Sequence, residues 1–411
     1  MILSFPTIKS TRKSDLPNAG LGLAQQDHIH RSPCIQHVRA RRSGVLTLFV
    51  LLVLVIAIGM LMLVLNTAWL VLNNRDMQRR NDLLALVATE ELLDEQLLWD
   101  QTSNQIDDVV LAETAVHAFR VENNQVVAKS LRLDWPNVTV TAGRVEDVNH
   151  PVFIEQMPFN SLRVELHRYA NGSNPALLLI RGFGTPEAAD VMTASVATLD
   201  NCLIGFRPTA TVATPLAPLA ISETAWFTDR PDGNVDTNAN NRLELDVLLR
   251  PSSSDGVANG ALVDVGQSNP LNVEMIPHQI LDGIRLDDLP PSINGQASWI
   301  GPVMPGNPLP LPASETSPDN TDTIAVALNA VATSQDPRRI FAIYTGAFTD
   351  PLEIVGFVGA TVLAAENIGG LEDQLRLAVE PVFIVHFTAV TDATNPAVPE
   401  NTYIHKLRLV Q

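Results

Sequence analysis

Apolar and polar positions divide the chain into three stretches of different character. Residues 44–72 read GVLTLFVLLVLVIAIGMLMLVLNTAWLVL, 29 positions at which no side chain ionises. A helix needs about 20 apolar residues to cross the hydrocarbon core of a bilayer, so this run predicts a transmembrane helix with length to spare. The polar sequence that follows contains neither Pro nor Gly as far as Asp100, and Leu83, Leu86, Val87, Leu93 and Leu97 recur largely at three- and four-residue steps. That spacing predicts an amphipathic continuation of the helix as a stalk. A second helical pattern over 105–122 gathers Val109, Leu111, Ala115 and Ala118 before Asn123 and Asn124 end it.

Beyond residue 124 the period changes. Short runs rich in Val, Leu, Ile and Thr alternate with Gly, Pro and Asn, and several have the period of two that marks half-buried strands. Strands are expected at 126–133, 137–141, 162–167, 176–181, 191–200, 242–249, 261–265, 324–331, 340–344, 353–364, 375–390 and 402–410. Eight prolines between Pro290 and Pro318 predict an extended loop or linker without a ladder. It separates two β modules or is one excursion from a single body. The expected class is α+β: one N-terminal transmembrane helix continuing into a stalk helix, then a predominantly antiparallel, sandwich-like exported region. The expected divisions are a disordered basic tail at 1–43, the span at 44–73, the helical stalk at 74–123, a β-rich domain at 124–289, the Pro-rich stretch at 290–322 and a β-rich C-terminal part at 323–411.

Charge gives this plan a direction. Residues 1–43 hold seven Lys or Arg and two Asp, while the formal charge of the whole chain is −18, which leaves −23 for everything after the span. Arg39, Arg41 and Arg42 directly precede the apolar run, and by the positive-inside rule they keep the N-terminus in the cytoplasm. The rest is then periplasmic or extracellular, on an inner-membrane anchor. Ala57-Ile58-Gly59 resembles a signal-peptidase site, yet the apolar residues continue beyond it, so an uncleaved anchor is expected. Prepilin-type cleavage before the run is disfavoured because Phe49 stands where such pilins carry Glu. A strongly acidic exported part with no basic stripe excludes nucleic acid as a partner.

The region 41–88 resembles the N-terminal region of TadG-like proteins of the tight-adherence (Flp) pilus-assembly family, which also includes TadE-like members. The residues that carry the likeness are Arg41-Arg42-Ser43-Gly44, the apolar run, Asn66, Arg75, Met77-Gln78, Asp82, Ala85-Leu86 and Ala88. Weaker similarity follows at Thr141-Ala142-Gly143-Arg144, Asn160-Ser161-Leu162-Arg163-Val164, 191–197 and 215–220, so the likeness covers about half of the chain. The Asp-x-Ser-x-Ser metal motif of the von Willebrand A module in longer members does not occur. The resemblance implies a non-catalytic scaffold or accessory subunit in pilus assembly or cell adhesion, with pilus assembly or secretion proteins as partners and self-association through the stalk. The alternative is a membrane-tethered periplasmic ligand-binding or sensing module, which a deep pocket with convergent polar groups would favour.

A search for chemistry supports the non-enzymatic expectation. Cys34 and Cys202 fall on opposite sides of the span, so no disulfide is expected, and Cys202 reads as a small buried hydrophobe. His117, His150, His167, His278, His386 and His405 are far apart in sequence, without HExxH or HxH. Gly182-Phe183-Gly184 reads as a turn. The loop Asp232-Gly233-Asn234-Val235-Asp236-Thr237-Asn238-Ala239-Asn240 alternates oxygen-bearing side chains as calcium loops do, but Leu243 or Val247 stands where a bidentate Glu belongs. No catalytic, cofactor-binding or metal-ligating residue is expected, and no cofactor.

Overall fold

A computed structural model of the chain describes residues 43–93, 98, 110, 112, 114, 137–171, 175–180, 187–227, 238, 240, 242, 244–249, 258–266, 275–289, 299–314, 318–348, 350–368 and 374–410. The basic tail, the strand expected at 126–133, the turn at 182–184 and most of the loop at 232–240 lie outside these. Of the helix expected at 105–122, only Val110, Ala112 and Thr114 are described, and they are helical. Contacts distinguish two units, Met1–Leu63 and Val64–Gln411.

In the first unit the described residues form a helix with exposed apolar side chains, Leu48 at 72% and Leu54 at 56%. This is the start of α1 (Ser43–Glu90), which continues without a break and is the one helix among the described residues long and apolar enough to cross a membrane. Uniform hydrophobicity on every side is what such a helix requires, since lipid solvates all of its faces.

The second unit is mixed α and β. Its strands, in chain order, begin with β1 (Asn137–Val145), β2 (Phe153–Ile154), β3 (Ser161–Arg168), β4 (Ala176–Leu177), β5 (Ala188–Ala189), β6 (Val191–Asp200), β7 (Leu203–Phe206) and β8 (Leu216–Ser222). The short helix α2 (Glu223–Phe227), β9 (Leu245–Leu248), β10 (Gly260–Val263), α3 (Met275–Asp282), β11 (Leu309–Leu311), β12 (Ala313–Ser314) and α4 (Pro318–Ala332) follow. The chain closes with β13 (Arg338–Tyr344), β14 (Leu352–Asn367), β15 (Leu375–Pro381), β16 (Ile384–Val385), β17 (Ala389–Thr391) and β18 (Ile404–Val410).

One six-stranded sheet has the order β16-β18-β6-β3-β1-β2, and an eight-stranded sheet runs β12-β10-β8-β13-β14-β15-β9 with β11 on β14. Most pairs are antiparallel; β8 with β13 and β16 with β18 are parallel. Helices α3 and α4 pack on the larger sheet against β8 and β14. Its central strand β13 is buried at every position after Arg338, and it reads as a continuous apolar run instead of an alternation.

Two expectations are corrected here. The run at 324–331 is helix, not strand: Ile324, Ala327, Leu328 and Val331 recur at helical steps and are all buried, so the face was legible as period 3.6. The Pro-rich stretch also contains ladders, because Leu309–Leu311 pairs with β14 despite Pro310 and Ala313–Ser314 pairs with β10. Proline is tolerated in such short edge pieces, where a missing N–H faces no partner. Strands from both sides of 290–322 share both sheets, so this stretch is an excursion within one unit.

Candidate functional site

From Asn66 onward α1 lies along the six-stranded sheet. Strand β3 presents Leu162, Val164 and Leu166, all at 0% exposure, between Arg163, Glu165 and His167, which supply the period of two that turns one face toward the helix. The helix meets that face with Met77, Leu84, Ala85 and Ala88, joined by Leu92 in the turn after it, and the two sets form one buried cluster with Ala197 and Leu199 of β6. Ala85 and Ala88 are fully buried within this cluster.

Polar groups punctuate this interface at helical intervals. Asn66 Nδ2 donates to the Ile180 carbonyl at 3.0 Å, and the Ile180 N–H donates to Asn66 Oδ1 at 2.9 Å. One turn on, Trp69 Nε1 donates to the Leu177 carbonyl at 3.0 Å. Gln78 Nε2 donates to Asp82 Oδ1 and to Ser195 Oγ, each at 2.8 Å, and the Ser195 hydroxyl donates to Asp82 at 2.6 Å. Asn81, at 0% exposure, donates to the Val164 carbonyl at 2.9 Å, and the Thr89 hydroxyl reaches the carbonyls of Ala85 and Ala197. A buried polar group without a partner costs about 1–3 kcal/mol, so these bonds fix the register as well as the face of docking.

The contacts run in order along both elements. Residues 67–74 of α1 border a groove of about 310 Å³ with Asp190 and Val191 at the start of β6. Gln78 meets Ser195, Thr89 meets Ala197, and Leu92 and Leu93 line a cleft with Leu199 and Asp200 at its end. The helix and the residues just after it thus meet β6 in the order of its sequence.

This face differs from the leucine stripe expected from the sequence. Leu83 is 53% exposed, Leu86, Val87 and Leu93 are half-buried, and Leu97 lies outside the described residues. The buried stripe is Asn73, Met77, Asn81, Leu84, Ala85, Ala88, Thr89 and Leu92, rotated by about one position. Scoring only large apolar residues missed it because five of its eight members are amides, a hydroxyl or alanines. Several residues that carry the TadG-like resemblance, Asn66, Met77, Gln78, Asp82, Ala85 and Ala88, belong to this docking interface, whereas Arg75 is exposed.

The cleft at the far end of β6 encloses about 290 Å³ and is lined by Arg144, Glu146, Cys202, Phe383, Glu400 and His405 among others. Cys202 is half-buried, not the core residue expected, and desolvation together with Asp200, Glu400 and Asp392 raises its thiol pKa. It is held as a thiol and makes a poor nucleophile. Burial pushes His405 down to about 4, its Nε2 donating to the Thr402 carbonyl at 3.1 Å, so its ring is neutral at physiological pH. Asp200 is engaged by Arg408 Nε at 3.0 Å and by the Thr391 hydroxyl at 2.5 Å.

The remaining histidines are dispersed: His150 sits beside Asp147, His167 beside Glu165 and His278 beside Asp282. His386, also pushed down to about 4 by burial, accepts from the Thr388 N–H at Nδ1. Of the oxygen-rich loop, Asn238 and Asn240 are described, and both donate their amides to the buried Glu380 carboxylate, at 3.0 and 2.8 Å. Arg242 donates to the same carboxylate at 3.0 Å. No cluster of three metal-ligating side chains occurs among the described residues.

Comparison with protein-family models, curated proteins and solved structures returned no match.

Proposed function

We propose that the chain is a single-pass inner-membrane protein whose β-rich body, sandwich-like in its packing, is held on the periplasmic or extracellular side as a non-catalytic scaffold or accessory subunit of Flp/Tad-type pilus assembly or adherence. The observation that carries this reading is the unbroken passage of α1 from an apolar span into the buried face of its own sheet. A helix that serves both as anchor and as a packing surface of the body suits a scaffold. The residues of the family resemblance support it, because many of them form that connection. Pilus assembly or secretion proteins are the proposed partners. Self-association, if the stalk mediates it, must use the exposed side around Leu83, since the other side is buried.

The test is crosslinking and affinity purification of the full-length protein from its native membranes, with mass spectrometry of what is recovered. Pilus secretion or assembly components support the reading. Recovery of the protein alone, where those components are expressed, rejects it. A second reading, a membrane-tethered ligand-binding or sensing module, is favoured by the cleft beside His405 and Cys202. Saturable binding of a small ligand that Glu400→Ala or Arg144→Ala abolishes would select it.

A further inference from the structure

We infer that the segment 176–180, together with Tyr169 and Met192, is a membrane-contacting edge of the body, seated in the leaflet on the body's side of the bilayer that α1 crosses. This rests on reading α1 as a membrane span.

Depth is set by the helix. Residues 44–65 of the apolar run rise about 33 Å along a helix, close to the thickness of ~30 Å of a bilayer's hydrocarbon core. Asn66 then falls at the boundary and Trp69 one turn beyond it, in the layer where Trp is enriched because its ring is apolar and its N–H is not. Both are bonded to the segment in question: Asn66 holds both backbone groups of Ile180, and Trp69 Nε1 holds the Leu177 carbonyl. Whatever depth the helix gives Asn66 and Trp69, Leu177 to Ile180 share it. An asparagine at that boundary would be costly with its amide unpaired, and Ile180 satisfies both ends of it.

Composition and exposure agree with that depth. The segment is Ala176-Leu177-Leu178-Leu179-Ile180, without a charge, and Leu177 and Leu179 are 47% and 55% exposed. Tyr169 and Met192, 49% and 54% exposed, lie at the same end of the six-stranded sheet, where Arg168 pairs with Val191 and His167 with Met192. Four large apolar side chains would thus face water around the first turns of α1 that dock on the body. Lipid is the occupant that the continuity with the apolar run selects.

The experiment uses the full-length chain in lipid nanodiscs, with Cys34→Ser and Cys202→Ala, and a nitroxide attached at Leu179→Cys or, independently, at Leu177→Cys. Collision with oxygen is compared with collision with a water-soluble nickel chelate. Phe387→Cys, 58% exposed, is the water-facing reference: its neighbour His386 bonds to the His405 backbone near the opposite end of the sheet. Leu54→Cys reports on the span. The expected result is that both leucine-site labels meet oxygen freely and show a severalfold loss of nickel collision relative to the Phe387 site. A lipid-like signal at Leu54 with water-like signals at Leu177 and Leu179 overturns the inference and leaves the anchor reading standing. Water-like signals at all three sites overturn both. Shielding that arises only when other envelope proteins are added assigns the edge to a protein partner and overturns the lipid assignment.

Discussion

Asn66 and Ile180 form a closed pair, side-chain amide against main-chain amide, with the donor and acceptor of each satisfied by the other at 3.0 and 2.9 Å. The geometry is that of one rung of a β ladder supplied by a helix. Asn66→Leu is expected to leave both backbone groups of Ile180 without these partners, at about 1–3 kcal/mol. Hydrogen exchange read by mass spectrometry should show the peptide containing Ile180 exchanging faster in this variant, with β3 unchanged. Unchanged exchange would mean that the pair does not hold the segment.

Alanine fills two of the fully buried positions where α1 meets the sheet. Ala85→Leu or Ala88→Leu adds bulk at positions with no exposure, and overpacking of this kind costs about 1–3 kcal/mol. Leu83→Ser, at a position 53% exposed, is expected to stay within about 0.5 kcal/mol of the parent in the same denaturation assay. A larger effect at Leu83 than at Ala85 would show the helix to be docked by its other face.

Acid should loosen the body. Burial lowers the pKa of His386 and His405 in the folded state to about 4, below the usual value near 6.5 that the unfolded chain regains. The unfolded state therefore binds more protons between these values. Stability is expected to be flat above pH 6.5 and to decline as pH falls toward 4, by roughly 3 kcal/mol at most for His405. His405→Gln, which retains a donor for the Thr402 carbonyl, should flatten the slope measured by thermal denaturation from pH 7 to pH 4.5.

Glu380 gathers Asn238, Asn240 and Arg242 on one carboxylate whose side chain is 6% exposed. Glu380→Gln keeps the shape but removes the charge that three donors share, and a loss of about 1–3 kcal/mol in denaturant unfolding is expected. Calcium titration by calorimetry should show no micromolar binding to the parent chain. Micromolar binding that Asp236→Ala removes would contradict this.

How far the sequence revealed the fold depends on the kind of signal. The long apolar helix was plain because 29 consecutive positions lack an ionisable side chain. β3 was equally plain, since Leu162, Val164 and Leu166 alternate with charged neighbours. The segment at 324–331 was misassigned because Val and Ile favour strands by composition, while the spacing of Ile324, Leu328 and Val331 carried the true period. The joining of β8 with β13 and of β6 with β18 could not be read at all: pairing across more than 100 residues is decided by packing, and nothing local announces it. The docking interface was half legible. Asn66, Met77, Gln78, Asp82, Ala85 and Ala88 stood out in the sequence, yet their common role became visible only when Gln78, Asn81 and Thr89 acquired partners on the sheet.

The order in which α1 meets β6 also decides how the body bears load. A pull along the helix axis meets the attachments of Asn66, Gln78, Asn81 and Thr89 side by side, as a lap joint meets shear. Peeling would break them one at a time; shearing demands that they yield together.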